Sequence, residues 1–396
     1  MSTNLKKLST FYKRRFNGLG TKQLYNFRKL GLDDINLISN DYLCISDHPK
    51  IVDSMCDSLI KPQPMMSTVF SESFEEDSQA SCEAALADHV NKESVLLYQS
   101  GYMANVGLLQ SICSDLSNYP FLTLPKSTDQ DDRIPVYIDS MAHASLHEGV
   151  AAGRGNSFVF PHNDVKSLDT IIQKNGPGII VVDSIYSNDG SMCPLADVVR
   201  IRSKTDSVLV VDESHSFGLY GDNGGTLVEN LGLTNEVDFK TASLSKAFVS
   251  RAGIIACSEE MKEALNFSSY PAVFSSALLH HDVAGIHAAL VVIKESKKAR
   301  KDLTGNSNYL KQLLKDADFD VTESLSQIIA IKAGNEEMIM KINEFMNSRG
   351  IFGAAFVPPA TGRKKCIIRL GVNSNLSVQQ LEIVADVCEK AKKIYY

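Results

Sequence analysis

No stretch of this 396-residue chain approaches the roughly 18 consecutive apolar residues that a membrane-spanning helix needs. The basic N-terminus, MSTNLKKLSTFYKRRF, lacks the continuous apolar core of a secretory signal, so a cytoplasmic protein with no membrane attachment is expected. An excess of positive charge is also missing. The formal charge of −7 and pI of about 5.8 give no general attraction for nucleic acid. Nor is there a C-x-x-C pair. Eight cysteines are scattered from Cys44 to Cys388 in a chain too long for a disulfide scaffold, and they read as reduced, mostly core thiols with no metal to hold. What remains is an ordinary globular composition, 44% apolar and 22% charged, at a length that suits one large domain and a smaller one.

Two stretches carry the chemistry. In residues 208–218 (VLVVDESHSFG) a run of β-favouring apolar residues leads into Asp212, with His215 three positions on. A buried parallel strand there delivers a carboxylate to its C-terminal edge, where open α/β sheets bind ligands. In residues 241–248 (TASLSKAF) a short strand ends in small hydroxyl residues, and Lys246 stands at the mouth of the next turn. An anion, an imidazole and an amine at one sheet edge suit pyridoxal 5'-phosphate (PLP). The amine holds the cofactor aldehyde, the carboxylate keeps the pyridine nitrogen protonated, and the imidazole contacts the phenolic oxygen.

Other strand ends point the same way. Residues 94–98 (SVLLY) read as a strand, and residues 99–105 (QSGYMAN) as the start of a helix whose free N–H groups, at Gly101 and Tyr102, suit an anion. A strand over 134–139 precedes His143 in D-x-x-x-H-A-S, and a strand over 178–183 ends in Asp183 and Ser184. This pair either orders hydrogen bonds around a bound ring or caps the following loop. A strand over 35–39 runs into Asn40 and Tyr42. Strands are also expected over 157–161 and 252–257, and a helix over 79–91. Two long helices from about residue 278 precede strands over 326–332, 352–359 and 365–372, the last carrying Arg369. The expectation is an α/β fold, a large domain with a mixed, mostly parallel sheet flanked by helices, plus a smaller α+β C-terminal domain. The divisions fall at 1–60 (N-terminal arm and lead-in), 61–277 (large domain) and 278–396 (small domain). Residues 1–36 read as a basic amphipathic arm, either a solvated face or packing on a partner subunit, and 114–133 as a polar surface insertion.

In these motifs the chain resembles the α-oxoamine synthase family of fold-type I PLP enzymes. VDESHSFG is similar to its VDEAHSxG, SLSKAF to its TxSKAxG, SGYMAN to its SGFxAN, and DSIYSNDG to its VESVFSMDGD, all in family order. The resemblance implies Lys246 as the cofactor-bearing lysine and general base, Asp212 on the ring nitrogen, His143 stacked on the ring and His215 on the phenolic oxygen. It implies a phosphate held by Gly101, Tyr102 and Ser243, with Ser184 nearby and Ser276 reaching across from the second subunit of a homodimer with shared sites. Asn40 would lie near the substrate, and Arg369 would take its carboxylate.

The chain also departs from the family pattern. Residues 62–78 carry Met65, Met66, Val69, Phe70 and Phe74 where a glycine-rich loop is usual, and either form a differently packed loop or line a channel for a fatty acyl chain, with Phe70 as a substrate contact. Val249 and Ala252 replace glycines, Ser243 a threonine, and Ile367 an arginine. Within the family, SNDYL, SGYMANVGLLQ, GPGIIVVDSIYS and FSSALL look like the synthases of α-hydroxyketone quorum-sensing autoinducers. That likeness implies C-acylation of a small amino substrate, such as 2-aminobutyrate or S-adenosylmethionine, by a fatty acyl-CoA to give an α-aminoketone. Alternatives are another α-oxoamine synthase (of 8-amino-7-oxononanoate or 2-amino-3-ketobutyrate type), an aminotransferase, or a non-catalytic partner subunit.

Overall fold

A computed structural model describes residues 2–17, 29–60, 78–114, 134–358, 360–362 and 365–395. Phe70, the rest of the proposed acyl-channel segment up to residue 77, and residues 115–133 of the polar insertion lie outside the described residues. In chain order the strands are β1 (Ile35–Asn36), β2 (Ser94–Tyr98), β3 (Pro135–Asp139), β4 (Asn156–Phe160), β5 (Ile179–Asp183), β6 (Val208–Asp212), β7 (Phe239–Ser243), β8 (Gly253–Cys257), β9 (Ile328–Gly334), β10 (Ile351–Phe352), β11 (Ala354–Phe356) and β12 (Cys366–Gly371).

The larger of two compact units comprises Asn40–Ser187 and Ser191–Leu303. Its seven strands lie in the order β2-β8-β7-β6-β5-β3-β4. Only β8 runs against the rest, pairing antiparallel with both β2 and β7. Strands β2, β5 and β8 are buried at every position, which is why SVLLY, IIVVD and GIIAC show no alternation of apolar and polar residues. Helices Ala144–Ala152 and Leu195–Thr205 make the crossovers between the parallel neighbours β3 and β4 and β5 and β6, and Val165–Asn175 carries the chain from β4 past β3 to β5. Because the other six strands run the same way, Tyr98, Asp139, Phe160, Asp183, Asp212 and Ser243 all end at one edge of the sheet.

Beneath that edge, Leu96, Leu108, Ile138, Leu146, Val181, Val210 and Ile255 form one buried cluster joining the sheet to helices Gly101–Ile112 and Ala144–Ala152. Two glycines permit the close approach of those helices and their neighbours. A Cβ on Gly149 would sit 2.8 Å from the Asn105 carbonyl oxygen, and one on Gly107 would meet Ser269.

The smaller unit comprises Met1–Ser39, Asn188–Gly190 and Thr304–Tyr396. It holds the antiparallel sheet β11-β12-β9, with helices Glu336–Asn347 and Val378–Tyr395 packed on each other. Its boundary with the larger unit falls at Leu303 rather than at the expected 277. Helix His280–Glu295 stays with the larger unit because it packs on helices Pro49–Ile60 and Ser78–His89. The strand expected over 35–39 shortens to Ile35–Asn36, since its parallel partner β10 offers only two residues. All eight cysteines are free thiols and six are buried. No helix among the described residues is long and apolar enough to cross a membrane.

Candidate active site

At the centre of the carboxyl edge, Asp212 ends β6 in register with Asp183 of β5 on one side and Thr241 of β7 on the other. Strand β7 ends two residues later, and the chain turns through Lys246, which is half-buried. The turn is tied by Val249 N donating to Lys246 O (3.1 Å) and Ser250 N to Leu244 O (2.9 Å). Val249, standing where glycine was expected, keeps a left-handed backbone at φ 47°. A β-branched residue there is held about 1–2 kcal/mol above its relaxed conformation. Val249→Gly is therefore expected to raise stability by about 1 kcal/mol. A lower thermal midpoint in the variant would mean that packing of the isopropyl group outweighs the strain.

Asp212 is 3% exposed, and both carboxylate oxygens are held. Oδ2 accepts from Asn105 Nδ2 (2.7 Å) and Oδ1 from Ser214 N (2.8 Å). Asn105 Nδ2 also donates to Ser145 Oγ (2.9 Å), which lies 2.7 Å from His143 Nδ1, and Ser145 N donates to that same nitrogen (3.3 Å). His143 Nδ1 therefore accepts and its Nε2 carries the hydrogen. The His143 ring itself is exposed, with Tyr102 edge-on at 6.5 Å. Its backbone N donates to Asp183 Oδ2 (3.0 Å). Burial, and then the charge of Asp212, push the Asp183 carboxyl well above the ordinary carboxylate range. Ser184, expected at the cofactor, is fully buried. Its N and Oγ both donate to the Asp212 carbonyl, with Ser216 Oγ 3.1 Å from its Oγ, and so fix the end of β6.

The anion-binding end is built from hydroxyls around the start of helix Gly101–Ile112, whose N-cap is Ser100. A Cβ on Gly101 would lie 2.5 Å from Ser243 Cβ and 2.6 Å from its Cα, so only glycine lets the helix start meet the end of β7. Ser243 Oγ lies 2.8 Å from Ser245 Oγ, and Ser243 N donates to Ser214 Oγ (2.8 Å). On the other side of Asp212, His215 Nδ1 lies 2.7 Å from Tyr42 Oη, which donates to Asn40 Oδ1 (3.1 Å). Ser276 is exposed and its carbonyl accepts from Gln99 Nε2. Arg369 lies in the smaller unit on β12, paired with Ala354 and Ala330, its guanidinium 5.9 Å from the Phe356 ring centroid.

Lys246, Asp212, His143, His215, Gly101, Tyr102, Ser243, Ser276 and Asn40 thus share the larger unit. Sequence reasoning passed over Asn105, Ser145, Ser214, Ser245 and Tyr42. Asn105 had a signal, since it stands four residues after Gly101 and so on the same helix face.

One step along the edge, Asp139 supports the scaffold. It accepts from His162 Nδ1 (3.0 Å), Asn163 N (2.8 Å) and Met141 N (2.7 Å). Burial pushes its carboxyl up, but these donors outweigh burial and hold it below the ordinary range. A carboxyl lowered in this way stabilises the fold above its unfolded pKa, and the contribution is lost as pH falls through the folded value. Asp139→Asn is expected to cost about 1.5–3 kcal/mol at neutral pH. Urea midpoints of wild type and variant should then converge on acidification.

These groups fit PLP. Asp212 offers a buried carboxylate with lone pairs to spare, and Asn105 Oδ1 beside it has no hydrogen-bond partner among the described residues. An exposed imidazole lies to one side, and a helix start ringed by hydroxyls suits a phosphate. A lysine and an aspartate on adjacent strand ends of such a sheet define a fold-type I PLP-dependent transferase.

The chain belongs to the class I and II aminotransferase family, whose profile matches residues 33–387. Within that family it is an enzyme of the α-oxoamine synthase type. It is 39% identical over 355 residues to the CAI-1 autoinducer synthase of Vibrio campbellii, covering 89% of this chain and 85% of that one. It is 29% identical to the 8-amino-7-oxononanoate synthase of Alkaliphilus metalliredigens, covering 90% and 87%. The serine palmitoyltransferase structure of Sphingomonas wittichii superposes with a TM-score of 0.85 over 100% of this chain and 99% of that one. At 21% identity that likeness is one of fold.

Proposed function

We propose that this enzyme joins a fatty acyl group, delivered as a CoA thioester, to a small α-amino substrate of the 2-aminobutyrate or S-adenosylmethionine type. The product is the α-aminoketone precursor of an α-hydroxyketone autoinducer. The observation that carries the reading is the 39% identity to an autoinducer synthase along nearly the whole chain, together with Lys246 and Asp212 on adjacent strand ends. Bound PLP would supply the electron sink for the bond-making carbon of the substrate.

Lys246 anchors the cofactor and, once displaced by the substrate amine, removes the Cα proton. Asp212, fixed by Asn105 and Ser214, holds a positive ring nitrogen in place. His143 would cover one ring face and His215 would meet the phenolic oxygen. Gly101, Tyr102, Ser243 and Ser245 receive the phosphate. Arg369 takes the substrate carboxylate, Asn40 lies by the substrate, and Phe70 lines the acyl channel. The α carbon attacks the thioester carbonyl, the CoA thiolate leaves, CO₂ is lost, and a proton returns to that carbon to give the aminoketone. The enzyme works in the cytoplasm as a homodimer, with Ser276 completing the partner's site.

The test is thiol release from a fatty acyl-CoA by the PLP-loaded protein with and without an amino acid. Release that requires both substrates is the expected result. Pyridoxamine and a keto acid without thiol would make it an aminotransferase. No PLP bound to the protein after gel filtration and no Schiff base with Lys246 would make it a non-catalytic subunit.

A further inference from the structure

Three side chains form a hydrogen-bonded file that ends on the active-site imidazole. Tyr42 is fully buried and His215 is 5% exposed, while Asn40, at the outer end, is half-buried. Oη of Tyr42 lies 2.7 Å from His215 Nδ1 and 3.1 Å from Asn40 Oδ1. The segment that presents Tyr42 is itself fixed. Tyr42 N donates to Asn40 O (2.9 Å), and the Asp41 carboxylate accepts from Ile45 N (3.0 Å) and Ser46 N (3.1 Å).

A phenol has one hydrogen, so it cannot donate to both neighbours. With Tyr42 donating to Asn40 Oδ1, its oxygen accepts from His215 Nδ1–H, and a neutral ring keeps a lone pair on Nε2. If the Asn40 amide turns over, its Nδ2–H donates to Tyr42, Tyr42 donates to Nδ1, and the hydrogen moves to Nε2. The file thus has two polarities, chosen at the Asn40 end and read at the far nitrogen of His215.

We propose that Tyr42 is a positioning residue that sets which nitrogen of His215 carries the proton, with Asn40 as the controlling end. The consequence for the cofactor rests on the reading that His215 faces the phenolic oxygen of PLP. There, Nε2 is a donor in one polarity and an acceptor in the other. A substrate that reorients Asn40 then alters the electron demand on the cofactor without touching His215.

The first test needs no cofactor. Nitrogen-15 spectra of the full chain labelled at its nine histidines, with the His215 signals assigned by their loss in His215→Gln, report the tautomer directly. Wild type is expected to show Nδ1–H, Tyr42→Phe to lose that preference, and Asn40→Asp, whose carboxylate only accepts, to keep it. An unchanged tautomer in Tyr42→Phe, or a lost one in Asn40→Asp, overturns the proposal. With PLP added, the pH at which the visible band changes should move by about one unit in Tyr42→Phe, the worth of one hydrogen bond. Superimposable titrations overturn the proposal as well. A wild type that retains no PLP band after free cofactor is removed refutes the cofactor reading alone, and the tautomer measurement still decides the role of Tyr42.

Discussion

Lys246→Ala is expected to abolish covalent capture of PLP and to lower thiol release by roughly 10⁴-fold or more, because one amine serves as both anchor and base. The variant should fold normally. The ties that shape its turn run between backbone groups, from Val249 N to Lys246 O and from Ser250 N to Leu244 O. A second variant separates charge from chemistry. Lys246→Arg keeps a cation near the hydroxyls of Ser243 and Ser245, but a guanidinium does not give up its proton at working pH. It is expected to be as inactive as the alanine variant even if it retains the cofactor noncovalently. The check is mass spectrometry after borohydride treatment, alongside thiol release and thermal midpoints. A cofactor mass fixed to wild type and absent from both variants, at equal midpoints, is the expected pattern. Undiminished thiol release in Lys246→Ala would remove this residue from the chemistry.

Much of the fold was legible because burial on both faces writes itself into the chain. The runs ending at Asp183 and Asp212 are apolar at every preceding position of their strands, which only a covered parallel sheet demands. A carboxylate closing such a run marks the edge where a ligand sits. Lys246 and His143 were legible for the same reason, since each follows a strand end within a few residues. Strand length in the smaller unit was less legible. The run over 35–39 pairs only at Ile35 and Asn36, a limit set by a partner more than three hundred residues away.

The groups that hold the site were hidden for a different reason. Asn105 and Ser145 are ordinary polar residues, and their value comes from a packed crossing of two helices, made possible by Gly149 against the Asn105 carbonyl. Tyr42 reads as a turn aromatic, and only the tertiary fold carries its hydroxyl to His215. Ser184 shows another side of this: its motif says nothing of the buried contacts that its hydroxyl makes with the Asp212 carbonyl and Ser216 Oγ. Val249 replaces a glycine, and the sequence alone did not show that it keeps the left-handed backbone that suits glycine.

Asp212→Asn is expected to lower kcat by roughly 10²–10³-fold, since a neutral amide cannot hold a positive ring nitrogen as a carboxylate does. The fold should lose little. The amide oxygen can still accept from either Asn105 Nδ2 or Ser214 N, but the amide nitrogen then faces the other donor, so one hydrogen bond of about 1–1.5 kcal/mol is lost. Against that loss, a buried like charge disappears from beside Asp183. The Asp183 carboxyl is raised first by burial and then by Asp212, so the substitution should lower it partway towards its ordinary range. An acid whose folded pKa is raised stabilises the protein below its unfolded pKa, and that contribution fades as pH rises through the folded value. Wild-type stability should therefore decline from the unfolded pKa of this carboxyl up to its raised folded value, and the decline should end at a lower pH, with a smaller total loss, in Asp212→Asn. Measuring kcat and urea midpoints across pH on the same samples separates the two effects. A large loss of kcat with a flattened pH dependence of stability would assign Asp212 to the cofactor and Asp183 to its neighbour's charge. A decline of equal extent in both proteins would show that burial alone governs Asp183.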